Sequence, residues 1–218
     1  MDAQHYKDHA QDLQGDIIKQ LFVFAEQIAD LHAVLTGPRG EFFRKKLLQY
    51  LSDGLTHDEL EKLRKEFGLA ETARHINQLL KYKLIKEAVV EKTEGYIRTS
   101  YGERTTNALR ALEESIGDEK AQKIFFTALG KNSIRMFLKV YGLPKEPQDG
   151  DIIYTPLEIG QISAFLPRTI EGVAAVDKLD DAGLVSYLDD GRIHVNPRRS
   201  VAFYQYLKEL YALIFELS

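Results

Sequence analysis

Five side chains able to read a polar surface stand within eight residues of each other: Arg74, His75, Asn77, Gln78 and Lys81. The segment from residue 70 to residue 83 contains no Pro or Gly, and its apolar residues recur at helical spacing around Ile76. At about 100° per residue, Thr72, Ala73, Leu79 and Leu80 fall beside Ile76. Glu71, Arg74, Gln78 and Lys81 then point away, with His75 and Asn77 on the flanks. An outward face of Arg, Asn, Gln, His and Lys offers the donors and acceptors that hydrogen-bond base edges and phosphates in a major groove. The same face is also what an ordinary solvated helix presents, so the elements around it must decide.

Those elements are written twice, about a hundred residues apart. The first copy opens with Leu55-Thr-His-Asp-Glu-Leu-Glu-Lys-Leu, continues with the helix ending Leu79-Leu-Lys-Tyr-Lys-Leu-Ile85, and closes with a hairpin over 86–92 and 96–100, joined by Thr93-Glu-Gly95. The second opens with Tyr154-Thr-Pro-Leu-Glu-Ile-Gly-Gln-Ile, continues through Leu179-Asp-Asp-Ala-Gly-Leu-Val185, and turns at Asp189-Asp-Gly191. Thr-x-x-Glu before an apolar residue is a helix-start signal, and Asp-Gly supplies the positive φ of a tight hairpin turn. Helix, turn, helix and hairpin make a winged helix. The chain is therefore expected to be mainly α with small antiparallel β-hairpin wings, with two winged-helix units flanked by long amphipathic terminal helices.

Charge separates the copies. Residues 41–105 hold 13 Lys/Arg against 11 Asp/Glu, a balance of +2, whereas residues 150–199 hold 5 against 8, a balance of −3. Only the first copy has the sign that phosphates attract. The second reading helix carries Glu171, Asp177, Asp180 and Asp181 against Arg168 and Lys178. It reads as a protein-interaction or dimerisation module. Arg192, Arg198 and Arg199 are the cations left near its wing.

The first copy resembles winged-helix regulators of the ArsR and MarR kind over roughly residues 41–116. The resemblance is carried by Glu71-Thr-Ala-Arg-His-Ile-Asn-Gln-Leu-Leu-Lys-Tyr-Lys-Leu-Ile85 and by Tyr96-Ile-Arg-Thr-Ser-Tyr-Gly102. Two departures stand out: Lys83 replaces the usual helix-ending Gly, and Arg98 stands where an apolar residue would precede the Thr. The resemblance implies that Arg74, His75, Gln78 and Lys81 enter or line the major groove, with Asn77 beside them. Thr56 and His57 would contact phosphate, and Lys92, Thr93, Tyr96 and Arg98 would reach an adjacent groove or the backbone. Tyr96 could equally pack against the other strand of the hairpin.

The ends read as helix-packing seams. Ile17, Leu21, Phe24, Ile28 and Leu31, and again Phe203, Leu207, Leu210, Ile214 and Leu217, alternate spacings of three and four, which is a coiled-coil stripe. These residues are the dimerisation candidates; packing of the two ends within one chain is the other reading. The domain organisation expected is an N-terminal helix over 1–36 and a winged helix over 41–116. A helical connector and linker over 117–149, a second winged helix over 150–198 and an apolar helix over 199–218 complete it.

The 218 residues contain no cysteine, which excludes disulfides, thiolate metal sites and cysteine nucleophiles. No apolar run is long enough for a membrane span, and the N-terminus lacks a signal-peptide pattern, so a cytoplasmic protein is expected. Neither a Gly-rich phosphate loop nor a Gly-x-Ser-x-Gly or metallohydrolase motif occurs, so no enzyme, cofactor or metal is expected. His5 and His9, with Asp8 and Asp12, have metal-ligand spacing but read as a solvated terminus. Phe137, Phe203 and Tyr204 could line an effector pocket. The function expected is a dimeric, sequence-specific regulator of transcription bound to double-stranded DNA, with a protein partner on the acidic second unit. The alternative is a winged-helix adaptor for chromosome segregation or the transcription machinery, with little or no DNA binding.

Overall fold

The computed structural model describes residues 16–36, 41–66, 73–142, 152–166 and 168–217. It is mainly helical with two small antiparallel sheets, as the sequence pattern implies. The chain divides into two compact units, one of Met1–Ala29 with Leu112–Lys208 and one of Asp30–Ala111 with Glu209–Ser218. Each contains one of the two copies. No helix among the described residues is long and apolar enough to cross a membrane. His5, Asp8, His9 and Asp12 lie outside the described residues, as do Glu71, Thr72 and the linker residues 143–150.

The unit holding the first copy begins in helix α2 (Ala25–Thr36), which follows α1 (Asp16–Val23), and continues through α3 (Glu41–Tyr50). Strand β1 (Leu55–Thr56), α4 (His57–Glu66), α5 (Ala73–Lys81), β2 (Ile85–Val90) and β3 (Thr93–Arg98) then follow, leading into α6 (Ser100–Ile116). The sheet order is β1-β3-β2, so the two-residue strand before the first helix pairs with the returning strand of the wing. Thr56 starts α4 with a reciprocal cap: its Oγ1 accepts from the Glu59 amide at 3.3 Å, while Glu59 accepts from the Thr56 amide at 2.8 Å.

The wing turn differs from the expected one. Glu91 and Lys92 occupy it, at φ of 48° and 72°, and Thr93–Gly95 belong to β3. Gly95 is a strand glycine because β1 approaches it closely; a Cβ there would run into the Leu55 carbonyl. The Tyr-x-x-Thr-x-x-Gly run proves to be a clamp. Thr99 donates through Oγ1 to the Lys83 carbonyl at 2.6 Å and accepts from the Gly102 amide at 3.1 Å, tying the end of α5 to the start of α6.

The other unit repeats this order with β4 (Ile152–Tyr154), α9 (Pro156–Ile162), a short 3-10 turn (Ser163–Phe165), α10 (Thr169–Asp181), β5 (Val185–Tyr187) and β6 (Ile193–Val195). Its sheet order β4-β6-β5 matches that of the first copy. Thr155 and Glu158 reproduce the capping box. Between the copies lie α7 (Glu119–Ala128), capped by Asp118, and α8 (Lys131–Gly142), on which α10 packs. The last helix is α11 (Pro197–Leu217).

An aromatic core fills this unit. The Phe203 ring lies 4.7 Å from that of Phe137 and 5.4 Å from that of Phe125, and Tyr141 stacks on Phe137 at 5.2 Å. Phe137, Phe203 and Tyr204 are all buried, so they are packed core and not the wall of an effector pocket.

The expected dimer seam is also interior. Leu21, Ile28, Leu31, Phe203, Leu207 and Leu210 are fully buried within one chain, and Ile17, Phe24 and Ile214 are half-buried. Leu217 ends α11, and its side chain is outside the described residues. A stripe at coiled-coil spacing satisfies itself on any apolar neighbour, and here that neighbour is intramolecular.

Candidate nucleic-acid interface

Helix α5 buries His75, Ile76 and Leu79. Its inward face is therefore turned by roughly 50° from the one centred on Ile76, at 100° per residue. Ala73 comes out to solvent, His75 goes in, and Asn77 moves from the flank to the middle of the exposed side. The outward stripe becomes Arg74, Asn77 and Lys81, spaced i, i+3 and i+7, with Gln78 half-buried at its edge. Over its described residues, Ala73–Lys81, the helix carries two cations and no carboxylate.

His75 is not on the outward stripe. It is 8% exposed, and burial with the nearby Arg44 and Arg74 guanidiniums holds its imidazole below the ordinary range, in the neutral form. Its inclusion among the readers is a correction with a simple cause: an imidazole counts as polar in a periodicity pattern but packs like an aromatic ring.

The remaining expected contacts divide between surface and structure. His57 is exposed, with its ring 5.3 Å from that of the half-buried Tyr96. The Thr56 hydroxyl is committed to Glu59, to which it donates at 2.9 Å. The Thr93 hydroxyl donates to the Val90 carbonyl at 2.9 Å. Arg98 turns inward, its Nη1 donating to the Leu48 carbonyl at 3.2 Å, so it ties β3 to α3. Lys92 stays exposed at the wing tip, but Glu91 and Glu94 are exposed beside it, which cancels its attraction for an anion. Of the cations expected to meet DNA, Arg74 and Lys81 on α5 are thus the ones left exposed with no carboxylate beside them on their own described helix.

The second copy supplies an internal comparison. Register and caps align Arg74 with Ala174, Asn77 with Asp177, and Lys81 with Asp181. The cations near its wing are also committed. Arg192 pairs with Asp190 at 2.6 Å, and Arg199 donates to the carbonyls of Ala182, Gly183 and Ile116. Arg198 is exposed.

Lys83, singled out in the sequence as replacing a helix-ending Gly, keeps the left-handed conformation all the same, with φ of 50° where Gly183 has 63°. Sequence reasoning missed one feature: Ile170, Val173 and Tyr187 of the second copy are large apolar residues left exposed. Setting the two copies' helix faces side by side would have shown Ile170 and Val173. Compared with known proteins, the chain matches no family model, no curated protein and no solved structure.

Proposed function

We propose that the chain binds double-stranded DNA through its first copy, with α5 in the major groove, and regulates transcription without catalysing a reaction. One observation carries the reading: Arg74, Asn77 and Lys81 form a single exposed stripe on a helix with no carboxylate among its described residues. Arginine reads guanine bidentately and asparagine reads adenine, while a lysine at the helix end neutralises phosphate. Gln78 adds an edge contact, and His57 stands exposed at the start of α4, where the backbone of a bound duplex passes. The copy also has the strand–helix–helix–hairpin order in which the second helix is the reader.

The acidic second copy repels phosphate, so each chain offers one reading helix. A dimer would place a second α5 about 34 Å away and would read a roughly palindromic site. Its contact would have to use a surface other than the buried seam. A cytoplasmic setting fits this reading.

The test is binding to random duplex at about 50 and 200 mM salt, followed by selection of a preferred site. Steep loss of affinity with salt is expected. Arg74→Ala should weaken the selected site by ~1–3 kcal/mol, and Lys81→Ala should lower the salt slope by about 1. Absence of binding at the lower salt, or full binding by Arg74→Ala, would overturn the reading.

A further inference from the structure

On α10, Ile170, Val173, Asp177 and Asp181 form one outward stripe, with Ile170 72% and Val173 53% exposed. Tyr187 on β5 joins it: its hydroxyl donates to Asp177 at 2.9 Å while its ring remains 45% exposed. Desolvation, together with that hydrogen bond, pushes the Tyr187 hydroxyl up to about 12, so it keeps its proton and its donor role.

The first copy shows that the fold does not require this surface. Its corresponding residues are Ala73 for Val173, Asn77 for Asp177 and Glu87 for Tyr187. The same architecture stands with small or polar residues there. Clustered exposed apolar side chains edged by charge mark a contact surface.

We propose that this face docks an amphipathic helix of a partner protein, one with an apolar row edged by lysine and arginine. Charge complementarity selects the occupant. Helix α10 carries Glu171, Asp177, Asp180 and Asp181 against Lys178, so an anionic duplex or membrane is repelled and a basic segment is attracted. Helix α5 of a second copy would offer Arg74 and Lys81, but Ala73 is its one exposed apolar residue among those described, too small to cover Ile170 and Val173.

Alongside the stripe, between α10 and the start of α8, an open groove of about 360 Å³ is lined by Gly130, Lys131, Glu171, Ala174 and Lys178. It has room for side chains of a docking helix. Its own charges are balanced, since Lys131 pairs with Glu26 and Lys178 shares the wall with Glu171. The uncompensated acid lies at Asp177 and Asp181.

The experiment uses the full chain and two synthetic helical peptides. One has leucines at i, i+3, i+4 and i+7 flanked by arginines; the other is identical with glutamates for arginines. The arginine peptide should bind about tenfold or more tightly than the glutamate peptide. Ile170→Glu with Val173→Glu should abolish that binding with an unchanged thermal midpoint. Asp177→Lys with Asp181→Lys should reverse the preference between the peptides. Equal affinity for both peptides, no binding of either, or binding retained by the Ile170→Glu/Val173→Glu chain would overturn the proposal. So would self-association that this double variant removes, which would assign the face to a second copy. DNA binding through α5 is measured separately and is expected to survive every one of these variants.

Discussion

His75 links α5 to pH. Its imidazole is 8% exposed on the inward face of that helix, and desolvation is the main cause of its lowered pKa, followed by Arg44 and Arg74. The unfolded chain, with an ordinary value near 6.5, binds a proton more readily than the folded one. Stability is therefore fully present above that value and falls as pH drops through and below it. Thermal melts should show the midpoint falling between about pH 7.5 and pH 5.5. The fall should be smaller in His75→Gln, which cannot charge. An equal fall in both proteins would assign the acid sensitivity to other groups. The same residue explains the rotation of α5. Where a histidine goes in and an alanine comes out, a polar/apolar pattern places the face wrongly, and here that changed which side chains sit at its centre.

At the scale of elements, the two copies solve one geometric problem with glycine in different places. Helix α5 ends with Lys83 in the left-handed region, its amide donating to Leu80 at 2.9 Å; α10 ends with Gly183, donating to Asp180 at 2.7 Å. In the first copy Gly102 lets the Leu84 carbonyl approach α6. In the second, Arg199 occupies the place of Gly102 and reaches over Gly183, where a Cβ would meet its guanidinium. Each copy thus needs one glycine at this junction. A non-glycine left-handed residue costs about 1–2 kcal/mol, and the extra freedom of unfolded glycine returns part of that. Lys83→Gly should therefore raise stability by about 0.5–1 kcal/mol, read as a shifted denaturant midpoint at unchanged slope. Gly183→Ala should lower it. A destabilised Lys83→Gly chain would show that the lysine side chain, and not its backbone, matters at the helix end.

At the scale of the whole molecule, the terminal stripes are core. Leu207 is completely buried in the single chain, so Leu207→Ala should cost about 2–5 kcal/mol of folding stability. That cost should not depend on protein concentration. A variant that keeps its stability but halves its mass in solution would restore the seam to a dimer. Net charge of −4 also belongs at this scale. It conceals one helix with two cations and no carboxylate among its described residues and another with four carboxylates and one lysine. The proposed DNA and peptide contacts rest on that difference.

Much of this was legible without coordinates, because it depends on local rules. Thr-x-x-Glu specified both helix starts, Asp-Gly the second hairpin, and period 3.6 the helices; each acts over a few residues through backbone hydrogen bonds. The charge difference between the copies was equally plain from composition. Other features depended on what lies opposite, which no local rule contains. Burial of His75 follows from its neighbours on other elements, and the inward turn of Arg98 from the Leu48 carbonyl it meets. The wing turn moved to Glu91 and Lys92 because β1 needed Gly95 beside it. The terminal seams found cover inside the chain, since apolar burial is non-directional and a sequence stripe does not name its partner. The repeat and its charges were thus properties of the sequence by itself, while the residues left on the surface to act were decided by tertiary packing.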